Sequence, residues 1–287
     1  MENNASHARD RVLPHRHRLR RFQRIPMRYV IPNLVTLAAI CLGLTGVRFA
    51  IEGHFDIAVY AIIVAAILDG LDGRIARALK GTSRFGAELD SLADFVDFGV
   101  APALVLYLWS LHEHRSFGWV SALIFTIAAA LRLARFNVMI DDPNKPAWSV
   151  NFFVGMPAPA GAIMVMLPIY LHFGVGMAND HAYVPFEIVY VLFVAFLMAS
   201  RIPHFSGKRI GRVPREWFIP LLLGVIATLL LIVTYTMQML IVVTLAYLAL
   251  IPLSVRRFLA YQAADDAAAA QAVEGQEEAP SAPSGGH

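Results

Sequence analysis

The chain has 287 residues, 57% hydrophobic and 16% charged, with a mean hydropathy of +0.58. A soluble globular domain carries about 25% charged residues, so the balance argues against a water-soluble enzyme. One cysteine, Cys41, excludes an intrachain disulfide, and no CxxC or Cys/His spacing suggests zinc. The formal net charge of +3 hides an asymmetry: eight arginines fall within residues 9–28, whereas the last 27 residues hold five acids and no Lys or Arg. Because the basic arm abuts an apolar run, anionic lipid headgroups fit it better than nucleic acid.

A membrane-spanning helix needs about 20 mostly apolar residues to cross roughly 30 Å of hydrocarbon. In chain order, residues 29–47, 55–79, 89–111, 117–140, 152–173 and 185–201 meet that need or approach it with charges confined to one end. Residues 217–255 run for 39 positions without Asp, Glu, Lys or Arg, too long for one span, and break at 234–238 into two helices. The expectation is an all-α polytopic membrane protein with eight transmembrane helices. Lys and Arg gather in the arm, the even-numbered connections and the C-terminal end, which puts both termini on the cytoplasmic side of the cell membrane. The organisation read from the sequence is a basic cytoplasmic arm (1–28), a membrane domain (29–216), an added transmembrane hairpin (217–259) and a disordered tail (260–287), too polar and alanine-rich to bury a core.

Acidic residues near a bilayer are costly and mark function by default. The second span ends with Asp69 and Asp72, and the third begins with Asp90 and Asp94. A short connection makes the two helices antiparallel neighbours, so all four carboxylates meet at one membrane face. Helical spacing puts Asp69, Asp72, Gly73 and Ala76 on one stripe, and Gly86, Asp90 and Asp94 on the facing one. The small residues leave room beside the carboxylates. Oxygen-only ligands in this number suit one or two Mg²⁺ or Mn²⁺ ions. Two other readings compete: salt bridges to Arg74, Arg77, Lys80 and Arg84, and the ion pathway of a cation transporter.

The spacing Asp69-x2-Asp72-Gly73-x2-Ala76-Arg77-x8-Gly86-x3-Asp90-x3-Asp94 resembles, at every fixed position, the signature of the CDP-alcohol phosphotransferase family of integral membrane enzymes. Residues 90–103, 131–137, 153–159 and 200–208, with Pro32, Asn33 and Thr36, look like those of its serine-using branch, the bacterial membrane-embedded phosphatidylserine synthases. The resemblance covers about residues 29–212. It implies a six-helix core, to which the final hairpin is an addition, and homodimers with the site open to the cytoplasm. It also implies the substrates CDP-diacylglycerol and L-serine, and a divalent metal pair held by Asp69, Asp72, Asp90 and Asp94, with Asp94 doubling as general base. On this reading Asn33, Thr36, Asp69, Gly73, Ala76, Arg77 and Gly86 contact CDP-diacylglycerol. Arg132 and Arg135, three apart and so on one face, bind the serine carboxylate with Ser206 and Lys208 closing over it. A sister enzyme using glycerol 3-phosphate or an inositol phosphate is the nearest alternative. Asp97 is read as a solvated helix end rather than a support for the cluster. Gly155, Pro157 and Pro159 are expected to break the fifth helix, and His172 and His181 to lie on the opposite face.

Overall fold

Small residues recur at helical spacing along the first apolar segment, and that stripe starts the bundle. In the computed structural model, which describes residues 26–140, 152–178, 181–200, 202–205 and 218–277, α1 (Met27–Ile51) buries Thr36, Ala39, Gly43, Gly46 and Ala50 on one face. Opposite them α2 (Phe55–Ala78) buries Ala58, Ala61, Ile62 and Ala65. A Cβ at Gly46 would stand 3.1 Å from the Ala58 carbonyl oxygen, so the backbones nearly touch. Close van der Waals contact of this kind holds helices together in lipid, where apolar burial alone gives little drive. The outer faces keep Leu34, Leu44, Val64 and Ile67 exposed.

Ser83 caps α3 (Arg84–Asp94), its Oγ accepting the Gly86 N–H at 3.0 Å. The helix then widens into a π-helical turn, Phe95–Val100, before continuing as α4 (Ala101–Trp109). Pro102 supplies a cause: it has no N–H and its ring crowds the carbonyl four residues back, which a wider turn relieves. A 3₁₀ turn at Leu111–His114 leads into α5 (Arg115–Ile140). The buried core, with Phe98, Leu106, Phe125, Met156, Tyr170 and Met198 among its largest members, lies between these helices and the later ones.

The fold is all-helical as expected, with one short ribbon between its helices. β1 (Phe152–Val154) pairs antiparallel with β2 (Pro203–Phe205), Phe153 opposite His204. Aromatic and β-branched residues suit this short ribbon. The expected fifth span is different in detail. Gly155, with φ +80°, and Pro157 precede α6 (Ala158–Val165) instead of breaking it, and the 48° bend falls at Met166, before α7 (Leu167–Val175). Pro168 explains the bend. Its missing N–H leaves the Met164 carbonyl without a helical partner, and the Tyr190 hydroxyl of α8 (Val184–Ala199) donates to that oxygen at 2.8 Å.

Tyr235 separates α9 (Phe218–Thr234) from α10 (Thr236–Glu277), inside the predicted break. The principal neighbour of α9 is α10, whereas α10 packs on α7 and β2. The tail expected to be disordered from residue 260 is instead helical to Glu277. Alanine, glutamine and glutamate extend a helix that is already nucleated at little cost, without needing a core to bury into. Four helical stretches among the described residues are long and apolar enough to cross a membrane, and five if the bent α6–α7 pair is one span. The protein is a polytopic membrane protein.

Candidate active site

The connection between α2 and α3 is short, and the site forms where the two helices meet. One carboxylate oxygen from each of Asp69, Asp72 and Asp90 lies within 4.8 Å of the others. Asp94, one turn beyond Asp90 on α3, lies within electrostatic reach of Asp69 and Asp90, which places the fourth predicted member beside the cluster. Asp72 is buried at 3% exposure and accepts a hydrogen bond from Thr36 Oγ1 at 2.5 Å, which ties the cluster to α1.

The basic residues nearby do not neutralise these acids. Among the described residues the ion pair present is Arg48 with Glu52, at 2.8 Å on an exposed surface far along α1. Arg74, Arg77, Lys80 and Arg84 make no ion pair with the aspartates, so the salt-bridge reading of the cluster fails. A hard divalent cation fits what remains: carboxylate oxygens only, converging, with no sulfur or nitrogen ligand among them.

Beside the carboxylates is an open cleft with a cavity volume of about 210 Å³. Asn33 and Thr36 line it from α1, Asp72, Gly73, Ala76 and Arg77 from α2, and Gly86 and Asp90 from α3. Two glycines make it possible. At Gly86 a Cβ would lie 3.0 Å from Asn33 Oδ1 and 3.1 Å from Ser83 Oγ, and at Gly73 the same atom would meet the Arg77 guanidinium at 3.5 Å. Asp69 does not line this cleft. Gly81, Thr82 and Ser83 do, and were not foreseen. Their signal was present in the sequence as a Gly-Thr-Ser turn ahead of an N-cap serine.

Arg132 and Arg135 stand on the other side of α3. Arg132 is 7% exposed, its Nε donates to the Met156 carbonyl at 2.7 Å, and it lies within electrostatic reach of Asp94. Arg135 donates from a terminal nitrogen to the Ser200 carbonyl at 3.1 Å. Ser206 and Lys208 lie outside the described residues. His172 is remote, its ring packed on Trp109 and its Nδ1 2.9 Å from the Met177 carbonyl.

Asp97 needs a correction. It is 1% exposed, and neither oxygen has a hydrogen-bond partner among the described residues. It presses on α1 at Gly43, where a Cβ would collide with its carboxylate. The expectation of a solvated helix end fails because α3, the π-helical turn and α4 form one continuous stretch from Arg84, which places Asp97 in its middle.

Comparison with known proteins identifies the class to which this constellation belongs. The CDP-alcohol phosphatidyltransferase family matches residues 29–202, and the chain belongs to that family. Among its relatives, the CDP-diacylglycerol–serine O-phosphatidyltransferase of Mycobacterium leprae (strain TN) is 42% identical over 236 residues, covering 80% of this chain and 77% of the relative. Proteins of the same description from Helicobacter pylori (strain 26695) and Bacillus subtilis (strain 168) are 35% and 34% identical, over 63% and 61% of this chain and 74% and 91% of their own lengths.

Proposed function

We propose that the protein transfers the phosphatidyl group of CDP-diacylglycerol to the hydroxyl of L-serine, releasing CMP and leaving phosphatidylserine in the bilayer. The observation that carries this is the carboxylate cluster of Asp69, Asp72 and Asp90, which forms no ion pair among the described residues and opens on a glycine-lined cleft. The names of the relatives supply the acceptor.

In this reading Asp69, Asp72, Asp90 and Asp94 hold one or two Mg²⁺ or Mn²⁺ ions. Bound there, such ions supply positive charge against the pyrophosphate and the departing CMP. Asn33, Thr36, Asp69, Gly73, Ala76, Arg77 and Gly86 form the CDP-diacylglycerol site. Arg77 offers a planar, permanently charged fork suited to phosphate, while Gly73, Ala76 and Gly86 let the nucleotide approach the backbone. Thr36 acts there through Asp72, to which its hydroxyl is already bonded.

A serine hydroxyl is a weak nucleophile at neutral pH and needs a base within hydrogen-bond reach. Asp94 takes its proton as the serine oxygen bonds to the diacylglycerol-linked phosphorus, and the bond from that phosphorus to the CMP oxygen breaks. Arg132 and Arg135 hold the serine carboxylate, with Ser206 and Lys208 as further contacts. The topology that goes with this chemistry has eight crossings: the five by length and composition, plus α2, α8 and α9. The protein would work as a homodimer in the cytoplasmic membrane, with the cleft and both termini facing the cytoplasm.

The test is CMP release by the purified protein in lipid nanodiscs with CDP-diacylglycerol and Mn²⁺ or Mg²⁺, offered serine, glycerol 3-phosphate or inositol phosphate separately. Serine-dependent release with a phosphatidylserine product is the expected result. Release with a phosphorylated acceptor alone would move the function to a sister enzyme, and no release with any acceptor from folded protein would reopen the transporter reading.

A further inference from the structure

Arg132 and Arg135 lie three apart on α5, yet each is anchored on a different part of the chain. Arg132 Nε donates to the Met156 carbonyl at 2.7 Å, 24 positions along, and Arg135 Nη1 donates to the Ser200 carbonyl at 3.1 Å, 65 positions along. The segments that carry these two carbonyls meet at Gly155. Its N–H donates to the Ile202 carbonyl at 3.0 Å, one bond past the last β1–β2 pair, Val154 with Pro203. The next N–H, that of Met156, reaches the Leu197 carbonyl of α8 at 3.4 Å. Ser200 folds back onto the same oxygen, its Oγ donating at 2.9 Å. Gly155 is therefore the joint between the corner that holds Arg132 and the helix end that holds Arg135.

Two features of that joint call for glycine. Its φ of +80° is left-handed, where a Cβ crowds the following carbonyl. A Cβ there would also stand 2.8 Å from the Ser200 carbonyl oxygen and 3.2 Å from that of Met198. The first of these oxygens is the one that anchors Arg135. Both belong to the backbone at the end of α8, which cannot swing aside as a flexible side chain would, so a larger residue must displace the Ser200 carbonyl, the Met156 corner or both. Each anchor takes one of the five N–H donors of its arginine, which fixes the guanidinium without consuming its fork. A carboxylate gripped by two such forks is sensitive to their separation, because a hydrogen bond weakens steeply when it is bent. We propose that Gly155 is a positioning residue for the acceptor: by locking the Met156 corner to the end of α8 it sets the separation of the Arg132 and Arg135 guanidinium groups, and with it the affinity for the acceptor carboxylate. This rests on the reading of the two arginines as the pair that binds the serine carboxylate.

The experiment is serine titration of CMP release by the full-length protein in nanodiscs, at saturating CDP-diacylglycerol and Mn²⁺, for wild type, Gly155→Ala, Gly155→Asn, Gly176→Ala, and Arg132→Gln/Arg135→Gln with and without Gly155→Ala. Gly155→Ala should raise serine half-saturation about tenfold, the scale of one lost charge-assisted bond, while CDP-diacylglycerol half-saturation and the rate at saturating serine stay within about threefold. Asparagine tolerates the left-handed φ better but carries the same Cβ, so Gly155→Asn should give the same serine shift with a smaller drop in unfolding temperature. Gly176 supplies the converse: its φ is +74° with open space around it, so Gly176→Ala should lower the unfolding temperature and leave serine half-saturation as in wild type. In the Arg132→Gln/Arg135→Gln background Gly155→Ala should change serine half-saturation by less than about twofold, because the groups it positions are gone. Unchanged serine half-saturation in both Gly155 variants, or an equal shift with and without the arginines, would overturn the proposal. So would loss of the fold in both, or a uniform fall in every kinetic quantity, the mark of a purely structural role. If removing the arginines left serine half-saturation unchanged, the carboxylate reading would fall first, and absence of serine-dependent release from wild type would overturn the enzyme reading itself.

Discussion

Thr36→Val isolates one bond in the cluster. The Thr36 hydroxyl carries a single hydrogen and approaches Asp72 Oδ2 at 2.5 Å, closer than its 3.1 Å contact with the Pro32 carbonyl. Valine has nearly the same shape, so packing against the α1–α2 seam survives while the donor is lost. A hydrogen bond to a charged group contributes about 1.5–3 kcal/mol. Both partners are 3% exposed, so water does not replace the lost bond. At about 1.4 kcal/mol per tenfold change, whatever depends on a correctly held Asp72 should weaken by about 10- to 100-fold, the usual scale for removing a partner behind a metal ligand. The assay is CMP release as a function of Mn²⁺ concentration. Half-activation should move upward by that factor in Thr36→Val and stay within about threefold in Thr36→Ser, which restores the hydroxyl. A Thr36→Val activation curve lying on that of wild type would refute both the role of Thr36 and the metal assignment of Asp72.

Four further outcomes follow from the same geometry. Asp94→Asn should lower turnover by about 10²- to 10⁴-fold while CDP-diacylglycerol binding persists, and near-normal turnover would remove Asp94 as the base. Gly86→Ala places a methyl group 3.0 Å from Asn33 Oδ1 and should raise CDP-diacylglycerol half-saturation without moving that of serine; equal effects on both substrates would count against the cleft as the nucleotide site. Arg132→Gln and Arg135→Gln should each raise serine half-saturation by about tenfold, the cost of a lost charge-assisted bond, and no change in either would remove the carboxylate assignment. Tyr190→Phe leaves the Met164 carbonyl without its donor and should cost about 1–3 kcal/mol of stability, read as a lower unfolding temperature in detergent with unchanged half-saturation for both substrates.

The helices and the carboxylate cluster were legible because their signals are periodic or local. Charge-free runs marked α1 and the α9–α10 stretch, and the spacing from Asp69 to Asp94 brought four carboxylates to one junction. What escaped was set by contacts between distant segments. Pro168 looked no different from Pro157 or Pro159 in the sequence, and only the position of Tyr190 on another helix shows which carbonyl was freed and rescued. The β1–β2 pairing joins residues about 50 positions apart and leaves no periodic trace over three-residue strands. Asp97 was misread because its neighbour is a glycine on α1, and a glycine announces neither a partner nor a burial depth.

Helix phase explains why the arginines of α2 do not pair with Asp72. Arg74 and Arg77 follow Asp72 by two and five positions, which on a helix of 3.6 residues per turn turns both away from its face. A fold selected only for stability would have placed a cation three or four residues from Asp72, where a pair costs nothing to arrange. Instead the arginines stand off the carboxylates, Arg77 lies over Gly73 at the rim of the cleft, and Arg132 enters from α5 on the far side, held by a backbone carbonyl. On the proposed reading the acids lie between an arginine for the phosphates, Arg77, and one for the serine carboxylate, Arg132. Asp72 and Arg132 are buried while Arg77 is exposed at the rim, and buried charges held apart in this way are stabilised most when a ligand bridges them. Filling the gap from within the protein should therefore abolish activity while raising stability. A variant with Ala76→Lys, four residues from Asp72 and on its face, should unfold at a higher temperature and release no CMP; retained activity would mean that the cleft is not where the nucleotide binds.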